Sequence, residues 1–320
     1  MKHWSTERTT QLTEAIERCT RNNPHPFAVF DADNTIWKHD LVESLLGWLS
    51  QKGLLHLCDT PSEILPVQPS EMDTIISYYD DLCAIDHALG YLFASQIFAG
   101  FTLRQLQREI DLMMASSTLI EAPMPNGTKT LQIPALFPGQ IELIHWLQAN
   151  GIDVWIVSAS LEELVRMVAS NPIYGLNLPP ERVIGVNLMF ARPDGTTSVG
   201  ALERRSGCQG NDYYFAKERM QSVLTTVPFS PLTWYGGKVA AILEWIDEAH
   251  RPILVAGDSP NDFYMQFHAD DEGIRLRIDT NPEHKVLLEE RIRQHEAGSM
   301  YTSPRCGWME VNATMLGIPE

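Results

Sequence analysis

The sequence predicts an α/β protein, a mostly parallel sheet interrupted by a helical insertion after its first strand. Two observations predict the sheet and a third the insertion. Three short apolar runs, FAVF (27–30), IDVWIVSAS (152–160) and RPILVAG (251–257), each end in or run directly into Asp or Ser. Such runs suit strands buried on both faces of a parallel sheet. The second and third runs each follow a segment of helical periodicity, GQIELIHWLQANG and GKVAAILEWIDEAH. Strands alternating with helices argue for parallel order. Between the first and second runs, residues 37–136 carry helical periodicity in LVESLLGWLSQKG, MDTIISYYDDLCAIDHALGYLFASQIF and TLRQLQREIDLMMA. No strand is expected there.

The remaining elements follow in order. Residues 6–21 (TERTTQLTEAIERCTR) form an amphipathic helix that the NNPHP stretch at 22–26 breaks. Gly151 is a helix stop before the second strand, and LEELVRMVAS is a helix after it. ERVIGVNLMF (181–190) is a further strand, with a hairpin turn at RPDG (192–195). Residues 192–215 are rich in Gly, Ser, Arg and Asp and are expected to be an exposed connection.

The chain has 320 residues, 44% of them hydrophobic and 20% charged, as in ordinary globular proteins. Acidic residues number 41 against 24 Lys and Arg, a formal net charge of -17. That field repels nucleic-acid backbones and anionic lipid, so neither is expected as a partner. A phosphate site here needs local compensation by a metal ion or a lysine. Cys19, Cys58, Cys83, Cys208 and Cys306 show no CxxC or zinc-like spacing and read as reduced thiols. MKHWSTERTT has no apolar signal-peptide region, and no run of about 18 apolar residues predicts a membrane span. The expectation is a cytoplasmic monomer or homodimer, or a periplasmic one that has lost its signal.

Four features carry chemistry. Asp31-Ala32-Asp33-Asn34-Thr35 follows FAVF directly. Carboxylates at the carboxyl end of a buried parallel strand sit where open α/β sheets bind ligands. Two residues apart, Asp31 can attack while Asp33 moves a proton. Ser158, near the end of the second run, can donate to a phosphoryl oxygen; as a bland alternative it, or Ser160, caps the helix that follows. Gly257-Asp258-Ser259-Pro260-Asn261-Asp262 adds two carboxylates after the third run. Several carboxylates converging repel one another unless a hard cation joins them, and Mg²⁺ suits that role. Lys238, in WYGGKVAAI, offers an ammonium to phosphate and carboxylates.

These residues resemble the four motifs of the haloacid dehalogenase superfamily, at Asp31-Ala32-Asp33-Asn34-Thr35, Ser158, Lys238, and Gly257-Asp258 with Asp262. The resemblance implies a Rossmann-like core (1–36 and 137–320) with a helical cap domain (37–136). Dehalogenase members lack an acid at the position of Asp33 and the transport ATPases carry Thr there, so Asp33 points to a phosphatase or phosphomutase. FDADNTIWKHDLVESLL, IDVWIVSASLEELVRMVASNPIYG, TWYGGKVAAIL and RPILVAGDSPNDFYM are further similar to bacterial phosphorylcholine phosphatases, whose members are usually exported. That likeness implies hydrolysis of a small phosphomonoester through a phosphoaspartate on Asp31, with Asp33 as acid and base. Mg²⁺ would be held by Asp31, the Asp33 carbonyl, Asp258 and Asp262, and the phosphoryl group by Ser158 and Lys238. Thr35 would shape the loop. Glu43 would meet the choline head, with Trp37, Tyr78, Tyr79 and Trp234 as candidate aromatic faces. Two departures bear on substrate and metal. Ala84 stands where that family carries a second acid, and GDSPNDFYM is one residue shorter than its counterpart. Phosphoserine or phosphoethanolamine are the alternative substrates. A catalytically silent protein on the same fold is the alternative of a different class.

Overall fold

The computed structural model describes residues 1–21, 23, 25–296 and 307–318, so Asn22, Pro24 and Cys306 lie outside the described residues. Helix α1 (Thr6–Thr20) is capped by Ser5, which accepts from the Arg8 amide, and buries Leu12, Ala15, Ile16 and Cys19 along one face. Strand β1 (Phe27–Phe30) is buried at every position. The chain then turns sharply. Asn34 and His39 take positive φ values of 57° and 71°, and the Asn34 side chain accepts the His39 amide at 2.9 Å. Asparagine tolerates the left-handed region better than most residues.

The insertion follows a short strand, β2 (Trp37–Lys38), and contains α2 (Leu41–Gln51), α3 (Ile75–Ile85), α4 (His87–Gln96) and α5 (Leu103–Met114). It is not wholly helical. Strands β3 (Ile120–Met124) and β4 (Gly127–Leu131) form an antiparallel hairpin, and β5 (Ala135–Leu136) pairs back onto β2 to close a narrow neck. The hairpin turns at Pro125-Asn126, and Gly127 opens β4 at φ +138°, which only glycine adopts readily. Pro123 inside the run hides this strand from a propensity reading.

After the neck come α6 (Pro138–Ala149), β6 (Asp153–Leu161), α7 (Glu162–Ala169), β7 (Val183–Ala191), β8 (Thr197–Ser198), α8 (Gly200–Arg205) and α9 (Asn211–Tyr214). The chain ends through β9 (Val223–Phe229), α10 (Gly236–Trp245), β10 (Leu254–Gly257), α11 (Phe263–His268), β11 (Ile274–Asp279), α12 (Pro282–Glu296) and β12 (Trp308–Asn312). Among the described residues the central sheet has eight strands in the order β12-β11-β10-β1-β6-β7-β8, with β9 also on β7. Strands β12 to β7 run parallel, and β8 and β9 join β7 antiparallel. The hairpin predicted at 192–195 is the β7–β8 turn, closed by Gly195 donating to the Arg192 carbonyl.

Residues 192–215 are an exposed connection only in part. They contain α8 and α9, and Glu203 and Tyr214 are buried. The reason is an ion network that also buries Glu162, Glu163, Arg166 and Arg219. Arg219 reaches both Glu163 and Glu203 at 2.8 Å, and Arg204 reaches Glu162 at 3.1 Å. Arg166 pairs with Glu162 and Glu163 and stacks on the Tyr214 ring, 4.6 Å from its centroid. Burial alone would raise the Glu163 carboxyl, but Arg166 and Arg219 hold it down to about 2. Burying charges is costly unless they are paired this fully.

Candidate active site

Strand β1 lies between β6 and β10. Phe30 is level with Ile156 on one side and Ala256 on the other. One step further Asp31 leaves the sheet, flanked two residues past those partners by Ser158 and Asp258. The carboxyl ends of three adjacent parallel strands therefore open into one crevice, and strand order reverses there. This is where doubly wound sheets hold ligands.

The carboxylates of Asp31, Asp258 and Asp262 converge, each offering one oxygen within 4.8 Å of the others, and all three residues are buried. Lys238 is fully buried beside them and donates to Asp31 Oδ1 at 2.5 Å and Asp262 Oδ1 at 2.6 Å. Its placement depends on backbone shape. A Cβ on Gly237 would lie 1.8 Å from the Leu232 carbonyl oxygen, so only glycine fits there. Tyr235, at φ 50°, is held by the Asn261 side chain, which accepts its amide at 2.6 Å. Asp262 Oδ2 accepts the amides of Asp258 and Ser259 at 3.0 and 3.1 Å, and Thr280 donates to Asp258 Oδ2 at 2.8 Å.

Three carboxylates against one ammonium leave two negative charges in a buried space. Burial first, and then the Asp262 charge, push the Asp31 carboxyl up to about 7 against the pull of Lys238. Burial, Asp262 and Asp31 hold Asp258 well above the usual carboxylate range. The ammonium, which burial would disfavour, is held above its ordinary value by Asp262 and Asp31. The donor set consists of hard oxygens with uncompensated charge, which fits a hard divalent cation such as Mg²⁺.

This crowding has a measurable consequence without metal. A carboxyl that titrates near 7 when folded and near 4 when unfolded contributes stability fully present below about pH 4 and lost as pH rises through 7. In EDTA, the melting temperature is expected to fall between pH 6 and pH 8. Millimolar Mg²⁺ is expected to raise it and flatten that dependence. Scanning fluorimetry checks this, and a flat profile in EDTA would contradict the crowding.

Asp33 stands apart from the three converging carboxylates. Its Oδ1 accepts the Trp37 indole N–H at 2.7 Å and the Leu41 amide at 2.8 Å, and its Oδ2 accepts the Ser160 hydroxyl at 2.6 Å. Burial raises its carboxyl, and those donors oppose the rise. Ser158 Oγ accepts the Ser160 amide at 3.1 Å, which leaves the Ser158 hydroxyl proton free to donate. Neither serine caps α7, whose N-cap is Leu161 with no side-chain cap.

A cavity of about 170 Å³ opens above these groups, with Asp31, Asp33, Ser158 and Asp258 in its walls. On the side of the insertion it is walled by Asp40, Tyr79 and Tyr91. Asp40 caps α2, accepting the Glu43 amide at 2.8 Å. Among the described residues no basic side chain pairs with it. Burial and then the Asp33 charge hold its carboxyl well above the usual range. The D-x-x-E pattern at 40–43 marks it in the sequence only as a capping residue.

Four predicted site residues lie elsewhere, and a fifth only borders the site. Trp37 is completely buried and serves Asp33 through its indole N–H, so it offers no face to a ligand. Thr35 is also completely buried and outside the cavity wall, and its hydroxyl has no hydrogen-bond partner among the described residues. Glu43 points to Lys129 at 2.9 Å, which also holds Asp80, because the α2 helix turns it away from the cavity. Tyr78 packs edge-on against Phe93 and donates to the Val67 carbonyl. Trp234 reaches the site only through Tyr91, with ring centroids 6.2 Å apart.

A family model described as haloacid dehalogenase-like hydrolase matches residues 28–192. The chain is also 40% identical to a phosphorylcholine phosphatase of Pseudomonas aeruginosa, over 93% of this chain and 86% of that one. The chain belongs to the haloacid dehalogenase-like hydrolase family. Among solved structures, a protein of unknown function from Anaerococcus prevotii overlays with a TM-score of 0.59 at 19% identity, covering 93% of this chain and 91% of that one. A second, from Bordetella pertussis, gives 0.54 at 14% identity, covering 90% and 99%. At those identities the two share the fold. Among the described residues, no helix of this family member is long and apolar enough to cross a membrane.

Proposed function

We propose that this chain hydrolyses small phosphomonoesters with Mg²⁺, through a phosphoaspartate on Asp31, and that phosphorylcholine is the substrate its site fits best. The chain is a phosphoric monoester hydrolase of the haloacid dehalogenase-like family. One observation carries the mechanistic reading. A nucleophile-competent carboxylate, two further acids and a buried lysine meet at adjacent strand ends, with Asp33 held separately at the cavity wall. We take residues 37–136 as the cap that closes over the leaving group.

Lys238 occupies Asp31 Oδ1, which leaves Oδ2 to attack phosphorus. As the phosphorus–oxygen ester bond breaks, Asp33 gives its proton to the departing alkoxide through Oδ2, since Oδ1 already accepts two N–H groups. In the second half Asp33 takes a proton from water, the water oxygen bonds to phosphorus, and the Asp31 carboxylate is released with inorganic phosphate. The Ser158 hydroxyl and Lys238 hold phosphoryl oxygens. Asp31, the Asp33 carbonyl, Asp258 and Asp262 would hold Mg²⁺, which supplies positive charge against the phosphoryl group.

The choline assignment rests on the relative from Pseudomonas aeruginosa and on the cavity side opposite the phosphate. There a carboxylate without a basic partner among the described residues, Asp40, lies beside the Tyr79 and Tyr91 rings. A quaternary ammonium is stabilised by such a set. Asp40→Asn keeps a capping oxygen for α2 and removes the charge. The variant is expected to lose at least about tenfold in kcat/KM on phosphorylcholine, with p-nitrophenyl phosphate changed by less than about threefold. Equal losses on both would remove the choline assignment. Phosphoethanolamine and phosphoserine, run beside phosphorylcholine on the wild type, rank the alternatives.

A further inference from the structure

Residue 160 bonds two of the groups that the proposed reaction uses. Its hydroxyl donates to Asp33 Oδ2 at 2.6 Å, and its amide donates to Ser158 Oγ at 3.1 Å. It sits in an irregular stretch of β6, where pairing with β7 jumps from Val157 to Leu161. Irregularities of this kind re-aim side chains beside active sites. The stretch is pressed closely onto β7. A Cβ on Gly185 would lie 2.6 Å from the Ser160 carbonyl oxygen and under 3 Å from the Glu162 backbone. Beneath it, Glu162 accepts the Gly185 amide at 3.2 Å and the Asn187 side-chain amide at 2.8 Å. Ser160 therefore stands on a fixed platform.

We propose that Ser160 is a positioning residue for Asp33, its hydroxyl fixing the one carboxylate oxygen that is free to exchange protons with the leaving group. The inference rests on the acid–base role of Asp33 given above. Oδ1 is tied to the neck and to the start of α2 through Trp37 and Leu41, so it follows the insertion. Among the described residues, Oδ2 is tied to the core through Ser160 alone. Without that hydroxyl the carboxylate keeps its hold on the insertion and loses its registration with the phosphoryl site. A misplacement on the order of 1 Å costs up to about a hundredfold in rate.

The test uses leaving groups of different need. A choline or glycerol alkoxide must be protonated as it departs, whereas p-nitrophenolate leaves unassisted. The kcat/KM ratio between an alkyl phosphate and p-nitrophenyl phosphate therefore reads the proton donor. Phosphorylcholine serves as the alkyl ester, or β-glycerophosphate if the wild type turns over only that. In Ser160→Ala the alkyl ester is expected to lose about tenfold or more in kcat/KM, with p-nitrophenyl phosphate within about threefold. Ser160→Thr, which keeps a hydroxyl, is expected to restore the ratio. Ser160→Cys gives the same readout should the alanine protein prove insoluble. Equal losses on both esters, an unchanged ratio, or a threonine variant as impaired as alanine would each overturn the assignment. A wild type inactive on every ester would overturn the underlying phosphatase reading, and this inference with it. An active wild type with an unaffected Ser160→Ala overturns this inference alone.

Discussion

Asp31→Asn is expected to abolish turnover, by more than about 10⁴-fold, while leaving the protein as stable as the wild type or more so. The loss follows from chemistry: an amide oxygen is too weak a nucleophile to form the acyl phosphate. The stability follows from the surroundings. The asparagine side chain still offers Lys238 an acceptor where Asp31 Oδ1 now lies, and the substitution removes one of three buried like charges. Burial and Asp262 already raise the Asp31 carboxyl to about 7, so at pH 8 the folded wild type carries an ionised group that its site disfavours. The melting temperature of Asp31→Asn in EDTA at pH 8 should therefore equal or exceed that of the wild type, and its fall between pH 6 and pH 8 should shrink. Function stored as electrostatic strain gives this opposition between activity and stability. Near-normal turnover would remove the covalent route, and a large drop in melting temperature would show that the Asp31 charge supports the fold.

Both outcomes depend on a site that was legible in the sequence for a physical reason. Strands buried on both faces need uninterrupted apolar residues, so an acid or hydroxyl at their end stands out. FAVF before Asp31 and ILVAG before Asp258 are such cases, and the structure places them side by side. Other features lacked that contrast. Asp40 reads as a helix cap, which it is; its second role comes from the fold bringing Tyr79 and Tyr91 to the same cavity. Trp37 looked like a candidate aromatic face, but its indole N–H is drawn inward by Asp33. The glutamates and arginine of EELVR lie in a segment whose sequence predicts only a helix. They are buried because partners such as Arg219, more than fifty residues away, complete the network, and no local pattern encodes that pairing. The β3–β4 hairpin did carry a turn signal, Pro125-Asn126 followed by Gly127, but Pro123 and the helical neighbourhood masked it.

Lys238→Met separates the two parts that the lysine plays. In the proposed reaction it holds a phosphoryl oxygen, so turnover is expected to drop to background. In the folded protein it is the only basic partner of Asp31 and Asp262 among the described residues. Removing the one cation from a buried cluster of like charges costs about 3–5 kcal/mol, because the remaining carboxylates stay buried and unpaired. That cost should depend on conditions in a way a packing defect would not. At pH 8 in EDTA both carboxylates must be ionised or bind protons against the pH, and the loss is largest. At pH 5.5, below the Asp31 value of about 7, protons neutralise part of the cluster and the loss shrinks. Mg²⁺ at pH 8 should recover much of it, since a divalent cation would supply positive charge against the carboxylates. Urea denaturation under the three conditions reads the pattern. A loss equal in all three would mean that the methionine fails by shape alone. Lys238→Arg is not a milder version of the same test: the site is fully buried and shaped around an ammonium, and a guanidinium needs a wider, planar space.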